Sequence, residues 1–271
     1  MYGKRCLSFR SAPAAALLTV ALTALLAATP ARSQLSLASL NCLHLGQGKP
    51  AYQLNKEAIL KIFLNGYDVV LLQEVMRQAD LADVTPGAYR FLVSNLQGKG
   101  TYKEAYGFLV RATLPSTNVY YSDVLGFSRT PAGILVDSNG VGTWLINYHA
   151  IFGVIKDRRD EVRLMRQVYQ DFQNTQYNGQ NFSRAVIGGD WNLGANDQAF
   201  ADLSHGWPIS VQPNVQTSLK RNGDPSQPYD HFLWDTTAVN VTSPAVIAPP
   251  GPAPGWRQQV SDHLGISCVV N

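Results

Sequence analysis

An acid and an amide lie two residues apart where a strongly apolar run of the chain stops. The run at 185–189 ends in two glycines and is followed by Asp190-Trp191-Asn192. Alternate side chains of an extended chain share a face, so Asp190 and Asn192 point to one side and Trp191 to the other. The pattern predicts a buried strand that ends at a cleft, although an Asx-type turn after an ordinary strand fits the same residues.

Other polar residues also follow apolar runs of the chain. They are Asn41, Glu74, His149, Asp230, and Asp262 with His263. Taken singly, each has a simpler structural explanation, such as a hydrogen-bonded core histidine, a turn residue or a helix cap. Burying so many carboxylates, amides and imidazoles without partners would cost several kcal/mol for each group. We therefore predict that these side chains converge on one shared site.

The residue types indicate metal-assisted acid–base chemistry. Glu74, with Asn41 and Asp262, offers the oxygen ligands that Mg²⁺ and Mn²⁺ prefer. The imidazoles of His149 and His263 can exchange protons near neutral pH. The sequence has no cluster with the spacing of a zinc site.

The apolar pattern predicts two strand-rich halves that position these groups. Strands are predicted at 35–45, 68–74, 90–94, 105–111, 119–124, 133–136, 142–149, 185–189 and 231–234, with a last one from Leu264. The continuous apolar run at 68–74 is typical of a central strand buried on both faces. Glu74 lies at its end.

Each half also carries a helical pattern. One helix is predicted to be capped by Asn55 and to end at Gly66, and a second to span 158–174, each with one apolar face. A short helix is expected at 197–204 and a rigid proline loop at 249–254. The fold class is therefore α+β, with two packed sheets and helices on the outside.

The amino terminus is typical of a secretory signal peptide at residues 1–33. Basic residues precede an uncharged run of Ala and Leu at 14–28, and Ala31-Arg32-Ser33 has the small-x-small pattern of a cleavage site. The run is shorter than the roughly 20 residues of a membrane anchor. We expect a secreted or periplasmic protein without stable membrane association after cleavage, with one catalytic domain at 34–271.

The charge of the exported part limits how a polyanion could bind. Residues 1–33 carry four basic residues and no acidic one, so the formal net charge of +3 becomes about −1 without them. A polyanion must therefore be held by a local basic patch or by bound cations. Cys42 and Cys268 are compatible with one disulfide or with two buried thiols.

The order of the motifs resembles the endonuclease/exonuclease/phosphatase superfamily and, within it, the deoxyribonuclease I-like branch. The motifs are Leu40-Asn41-Cys42, Leu72-Gln73-Glu74-Val75, Tyr102-Lys103-Glu104-Ala105-Tyr106, Tyr148-His149-Ala150, Gly189-Asp190-Trp191-Asn192, Tyr229-Asp230-His231 and Ser261-Asp262-His263. The resemblance runs through nearly the whole of 34–271. It implies a four-layer α/β/β/α sandwich of two mixed sheets.

The resemblance implies hydrolysis of a phosphodiester. Asn41, Glu74 and Asp262 would hold Mg²⁺ or Mn²⁺, and Asp190 and Asn192 would hold the scissile phosphate and a metal. The cation would neutralise the charge that develops in the transition state. The resemblance also allows a structural calcium ion that braces the loops.

The resemblance further pairs each histidine with a carboxylate, Glu104 with His149 and Asp230 with His263. Such pairing fixes the tautomer of the ring and stabilises the imidazolium. Our hypothesis makes His149 the acid for the leaving group and His263 the base for the attacking water, an assignment that could be reversed.

Three further residues resemble the substrate contacts of that branch. Arg77 and Tyr102 would enter the minor groove of DNA, and Arg111 would approach a backbone phosphate. Arg77 is one residue further from Glu74 than the branch would place it, so a solvated surface arginine is an equal alternative. No recognition helix is evident, which favours cleavage with little sequence preference.

The leading interpretation is an exported, Mg²⁺-dependent DNA endonuclease with no evident protein partner. The loop at 150–158 is unusually apolar, which leaves open a genotoxin-type nuclease subunit or a lipid-directed phosphodiesterase. A sphingomyelinase or phosphoinositide phosphatase of the same fold is the closest rival. The catalytic residues indicate hydrolysis of a phosphate ester but do not define the alcohol part of the substrate. An inactive binding module is disfavoured because each catalytic position is filled.

Overall fold

Two six-stranded mixed β-sheets form the centre of the computed structural model, which describes residues 34–48, 50–98 and 100–271. The strands are β1 Leu35–Leu45, β2 Val69–Val75, β3 Tyr89–Val93, β4 Ala105–Arg111, β5 Tyr120–Tyr121, β6 Ala132–Ser138, β7 Val141–His149, β8 Ala185–Asp190, β9 Ile209–Gln212, β10 Asp230–Asp235, β11 Val241–Val246 and β12 Ile266–Val270. The first sheet has the order β11-β12-β1-β2-β4-β3, and the second β5-β6-β7-β8-β10-β9. β1 runs parallel to β2 and β7 to β8.

Helices pack on the outer faces of both sheets. They are α1 Pro50–Leu64, α2 Leu81–Val84, α3 Ile155–Arg163, α4 Met165–Asn174, α5 Gln198–Ser204 and α6 Ala253–Gln259. Over the described ranges, none of the helices has the length and apolar character needed to cross a bilayer.

Three apolar cores divide the molecule into four layers. The middle core joins the facing surfaces of the two sheets, with Val69 and Phe108 from the first and Leu145 and Phe232 from the second. A second core packs α4 and α5 on the outer face of the second sheet, and a third packs α1 and α6 on the outer face of the first. The α/β/β/α sandwich expected from the sequence is confirmed.

The strand directions bring the polar residues to one edge of the sandwich. Glu74 lies near the carboxyl end of β2, and His149 and Asp190 end the parallel strands β7 and β8, where they are register partners. Asp230 begins the antiparallel strand β10 and pairs with Asp190. Residues that are far apart in the sequence therefore meet because strand ends coincide.

A buried amide bridge fixes the two sheets relative to each other beneath this edge. Gln73 Nε2 donates to Asn147 Oδ1 at 2.7 Å, and Asn147 Nδ2 donates to the carbonyls of Leu72 and Gly107 at 3.1 and 3.2 Å. Gln73 and Asn147 are fully buried. Gln73 Oε1 receives no hydrogen bond from the described residues, but the bonds made by Gln73 Nε2 and by Asn147 favour one relative position of the strands that carry them.

Two helix boundaries differ from the sequence prediction. The first helix begins at Pro50 rather than at Asn55, since proline supplies a helical φ and needs no amide bond at that position. The helix predicted at 158–174 is two helices that meet at Leu164. The amide of Leu164 bonds to the carbonyl of Glu161, three residues back, which tightens the turn and ends the first helix.

Four elements were missed and one was overextended. α2, β9, β11 and α6 were not predicted, and the strand expected at 119–124 is only β5. β11 contains Pro244 but lies at the edge of its sheet, where a missing amide is tolerated. α6 carries Pro254 in its first turn, so the predicted proline loop is partly helical.

The two cysteines of the described region are buried free thiols. Burial raises the pKa of Cys42 to about 12 and keeps its thiol neutral. Of the two alternatives, the structure has two buried thiols and no disulfide between Cys42 and Cys268. The signal peptide predicted at 1–33 lies outside the described residues and stays a prediction.

Candidate active site

His149 and Glu104 form a buried imidazole–carboxylate pair. His149 Nδ1 lies 2.6 Å from Glu104 Oε1. Burial lowers the pKa of His149, but the nearby carboxylate of Glu104 outweighs this effect and the net shift is upward. Burial raises the pKa of Glu104, and His149 reverses that shift. The pair holds the ring with Nε2 turned towards the strand ends and favours a proton on it.

His263 and Asp230 form a second pair of the same kind. His263 Nδ1 lies 2.7 Å from Asp230 Oδ2. Burial opposes the charged ring, but Asp230 and Asp190 raise the pKa of His263 well above its usual range. The backbone of His263 is anchored too, because its amide donates to Ser261 Oγ at 3.0 Å and its carbonyl accepts from Trp256 Nε1 at 2.7 Å.

Asp190 joins the two pairs. Its Oδ2 lies 3.5 Å from Nε2 of His149 and 3.5 Å from Nε2 of His263, so both imidazoles reach one carboxylate oxygen. The two Nε2 atoms are therefore at most 7.0 Å apart, the sum of the two 3.5 Å distances. Two proton-exchanging groups at this separation can flank a single tetrahedral centre. The predicted convergence of these three residues is found in the structure.

Asn41 and Glu74 reach the same place through irregularities in the first sheet. The pairing of β1 with β2 shifts between Asn41 and Leu45, and that of β2 with β4 shifts between Leu72 and Val75. Such bulges redirect side chains at the ends of strands. Asn41 Nδ2 donates to Glu74 Oε1 and to Asp190 Oδ2, each at 3.0 Å.

The orientation of Asn41 bears on its predicted role as a metal ligand. Its Oδ1 accepts from the amide of Leu43 at 2.9 Å, so the amide nitrogen and not the oxygen faces Glu74 and Asp190. In this state Asn41 positions two carboxylates. It can offer an oxygen to a cation only if its amide group rotates.

Unusual backbone conformations concentrate at this edge. Among the described residues, seven non-glycine residues have positive φ, and four of them, Leu43, His44, Glu74 and Asn192, lie at the site. Such conformations are uncommon for non-glycine residues and persist where the surrounding structure imposes them. The fold thus holds Glu74 and Asn192 in positions that local preference would not select.

The donor set fits a hard divalent cation. Ligand atoms of Glu74, Glu104 and His149 lie within 4.8 Å of one another, and so do those of Asp190, Asp230 and His263. Glu104 Oε2 and Asp230 Oδ1 are buried and receive no hydrogen bond within the described part of the chain. Carboxylate oxygens buried in this way are stabilised when a cation neutralises them.

Asn192 and Asp262 also line the site, in different ways. Asn192 Nδ2 donates to the carbonyl of Ala150 at 3.1 Å, and its backbone amide donates to Asp190 Oδ1 at 2.9 Å. Asp262 is partly exposed, with Oδ2 3.6 Å from Arg257 Nη2. Asp262 lines the same cavity as Glu74, outside the group that Glu74 forms with Glu104 and His149.

An open cavity of about 620 Å³ contains these groups. Its wall includes the predicted residues Glu74, Tyr102, His149, Asp190, Asn192, Asp262 and His263. Glu104, Asp230 and Asn41 lie behind this wall and contact residues in it. Apolar side chains, among them Phe152 and Leu219, complete the cavity.

Of the predicted substrate contacts, Tyr102 lies at the cavity and Arg77 does not line it. The ring of Tyr102 packs edge-on against His44, with centroids 5.8 Å apart. Burial raises the pKa of the Tyr102 hydroxyl, and Glu74 and Glu104 raise it further, so the hydroxyl stays protonated. Arg77 is largely exposed and pairs with Asp80 at 2.7 Å.

The structure does not bring Arg111 to the site. Arg111 ends β4, whereas Glu104 precedes its start, so the length of the strand separates them by roughly 20 Å. Its Nε donates to Asp68 at 3.1 Å and its guanidinium lies over the ring of Tyr89. The expectation that Arg111 contacts a backbone phosphate at the cleft is therefore corrected.

The variant Arg111→Ala should consequently have near-normal activity. We expect a turnover within about 2-fold of the wild type and, because the ion pair is about one third exposed, a loss of stability of no more than about 1 kcal/mol. Activity assays and thermal denaturation measure the two effects. A loss of activity above 10-fold with normal stability would restore Arg111 to the site.

Sequence reasoning missed Arg129, which is buried behind the first pair. Its Nε lies 3.4 Å from Glu104 Oε1 and donates to the carbonyl of His149 at 3.0 Å, and its Nη2 donates to the carbonyl of Ala150. Arg129 is in a loop without apolar periodicity. No local signal in the sequence identifies it.

Lys56 and His44 were missed as well. Lys56 is buried in α1, donates to the carbonyl of Leu43, and has its pKa lowered to about 8 by burial. His44 Nε2 lies 3.2 Å from Glu74 Oε2, and the amide of His44 donates to the same oxygen at 3.0 Å. Both residues therefore support the segment that carries Asn41 and the carboxylate of Glu74.

The fold and the two imidazole–carboxylate pairs suit acid–base hydrolysis, and the comparison with known families gives the class of protein. The model of the endonuclease/exonuclease/phosphatase family matches residues 38–263. The chain belongs to this family.

Relatives within the family include deoxyribonucleases. The chain is 26% identical over 266 residues to Deoxyribonuclease-1 of Canis lupus familiaris, an alignment that covers 87% of this chain and 91% of the dog protein. It is 26% identical over 191 residues to a deoxyribonuclease of Thioalkalivibrio sp. (strain K90mix), covering 64% of this chain. That alignment spans 50% of the Thioalkalivibrio protein.

Solved structures share the fold at lower identity. D. rerio TDP2, in complex with a single strand DNA product, superposes with a TM-score of 0.60 at 20% identity, covering 88% of this chain and 99% of that one. A mannosyl-6-phosphatase of Bacteroides thetaiotaomicron gives a TM-score of 0.62 at 14% identity, with 88% and 99% covered. These likenesses establish the architecture.

Proposed function

We propose that this protein is an exported, divalent-metal-dependent endonuclease that hydrolyses DNA phosphodiester bonds with little sequence specificity. The observation that carries the proposal is the placement of His149 and His263 on either side of Asp190 in one cavity. The names of the relatives that cover most of the chain favour DNA as the substrate.

The paired histidines would carry the proton transfers. Hydrolysis needs one group that accepts a proton from water and one that gives a proton to the leaving oxygen. We assign the base to His263, which would act in its neutral form once a bound cation offsets the carboxylates that raise its pKa, and the acid to His149. Asp230 and Glu104 would hold the rings in orientation and stabilise their charged forms. Asp190 and Asn192 would orient the scissile phosphate.

Glu74 and Asp262, assisted by Asp190 and by Asn41 after rotation of its amide, would hold Mg²⁺, which Mn²⁺ can replace. The cation supplies positive charge against the phosphate oxygens as negative charge develops in the transition state. A cation is needed for part of this charge because three carboxylates, Glu74, Asp190 and Asp262, line the cavity and the exported chain is nearly neutral. Any calcium would be structural.

Plasmid nicking tests the proposal. We expect the purified protein to convert supercoiled plasmid to open circles with Mg²⁺ and to lose this activity with excess chelator, with recovery when Mg²⁺ is restored. The His263→Ala variant, prepared in parallel, excludes a contaminating nuclease.

The rival phosphoesterases give distinct products in a parallel assay. Release of phosphocholine from sphingomyelin, or of inorganic phosphate from inositol phosphates, without nicking of DNA would replace the proposed function. The mannosyl-6-phosphatase of the same fold shows that the architecture accommodates a different alcohol.

Export is the part of the proposal that rests on residues 1–33. The charge and length pattern of these residues supports cleavage after translocation. Mass spectrometry of the protein recovered outside the cytoplasm should give a chain that begins near Gln34. Recovery of the full-length chain in the cytoplasm alone would contradict export.

A further inference from the structure

Phe152 is exposed, yet it is held at the mouth of the cavity. Its side chain is 74% exposed and forms part of the cavity wall together with His149 and Asn192. A single exposed phenylalanine is ordinary on a protein surface. Phe152 differs from such residues because it lines the same cavity as His149 and His263.

Arg158 covers the ring of Phe152 from one side. The guanidinium carbon lies 5.1 Å from the ring centroid, within the range of a cation–π contact. Arg158 Nε and Nη2 donate to the carbonyl of Gly153 at 3.1 and 2.6 Å, and Nη1 donates to the carbonyl of Asn192 at 2.9 Å. Arg158 therefore links the loop that carries Phe152 to Asn192, which follows β8.

The segment before Phe152 is fixed by other contacts. Asn192 Nδ2 donates to the carbonyl of Ala150, and the amide of Ile151 donates to Glu161 Oε2 at 3.1 Å. Glu161 Oε2 also accepts from the hydroxyl of Tyr148 at 2.8 Å. Phe152 thus presents an ordered apolar surface at the cavity, which lowers the entropy lost when a flat ligand stacks on it.

We propose that Phe152 is a stacking platform for the nucleobase next to the scissile phosphate, on the side of His149. This inference rests on the proposed function. A nucleobase offers a flat, weakly hydrated face, and stacking on an aromatic side chain tolerates every base, in keeping with cleavage of little sequence preference.

The charges around the loop favour a nucleobase over a lipid surface. Binding to an anionic bilayer uses basic side chains that flank the apolar ones. Lys156 is instead paired with Asp160 at 2.5 Å, and Arg158 directs its hydrogen bonds to backbone carbonyls. Both side chains therefore have partners within the protein.

A single-site oligonucleotide provides the test. Phosphorothioate linkages leave one cleavable phosphodiester, and an abasic residue replaces the nucleotide on one side or the other of it. KM and kcat are compared for the wild type, Phe152→Ala, Phe152→Trp and Val154→Ala. Val154 is the matched control because it lies in the same loop, is 65% exposed, and is absent from the cavity wall.

Phe152→Ala should raise KM for the intact oligonucleotide by roughly 5- to 100-fold, the loss expected for one stacked base. Phe152→Trp should restore binding, and Val154→Ala should behave as the wild type. For the wild type, an abasic residue on the stacking side should raise KM by a similar factor, and Phe152→Ala should then have no further effect.

An unchanged KM in Phe152→Ala, or an equal loss on intact and abasic substrates, would overturn the inference and leave the proposed function standing. A second result would also overturn it. If Phe152→Ala and Val154→Ala both fail to sediment with anionic vesicles that the wild type binds, while their KM for the oligonucleotide is normal, the loop binds a membrane. If the wild type does not cleave the intact oligonucleotide but hydrolyses another phosphate ester, both the inference and the proposed function fail.

Discussion

Replacing His149 by alanine is expected to lower the turnover of DNA by at least about 10²-fold, the usual scale for the loss of a general acid or base. The reason is geometric, because His149 Nε2 is one of two imidazole nitrogens that face the Asp190 carboxylate. The effect should appear in kcat. Steady-state nicking rates with Mg²⁺ measure it, with thermal denaturation to establish that the variant is folded.

The two histidines can be told apart with an ester whose leaving group needs no protonation, such as a 4-nitrophenyl phosphodiester. If His149 is the acid, His149→Ala should lose much less activity on this ester than on DNA, whereas His263→Ala should lose at least about 10²-fold on both. The reverse pattern would exchange the roles. Normal DNA turnover in either variant would remove that histidine from the mechanism.

Replacing Gly189 by alanine is expected to destabilise the fold by more than about 3 kcal/mol. A Cβ atom built at Gly189 lies 1.8 Å from the carbonyl oxygen of Tyr148, and the residue has a φ of +149°. The strand that carries Asp190 would have to move away from β7. We expect a melting temperature lower by at least about 6 °C, or insoluble protein.

Gly87→Ala is the matched control for Gly189→Ala. A Cβ atom at Gly87 would meet no atom within 4 Å. Its stability should stay within about 0.5 kcal/mol of the wild type. Normal stability in Gly189→Ala would mean that β7 and β8 are not in contact as described.

Much of the site could be predicted because its residues end apolar runs. The runs before Glu74, His149 and Asp190 are strands in the structure, and strand ends of a mixed sheet meet at one edge. The paired carboxylates Glu104 and Asp230 followed from the resemblance and lie where it implied. Order along the chain was informative because the fold places the motifs on, or directly beside, different strands.

The remaining features depend on contacts that no local pattern encodes. The bulges that redirect Asn41 and Glu74 arise from pairing with neighbouring strands, and Arg129 is buried because backbone carbonyls of another strand accept its bonds. The position of Arg111 was predicted wrongly because the length of β4 was not taken into account. Its distance from Glu104 along an extended strand carries it to the far end of the sheet.

A crystal structure with Mn²⁺ and a bound nucleotide tests the central claim most directly. We expect an anomalous manganese peak beside Glu74 and a phosphate group within hydrogen-bonding reach of Nε2 of both His149 and His263. A nucleotide phosphate bound elsewhere, with this cavity holding neither the metal nor the phosphate, would contradict the account.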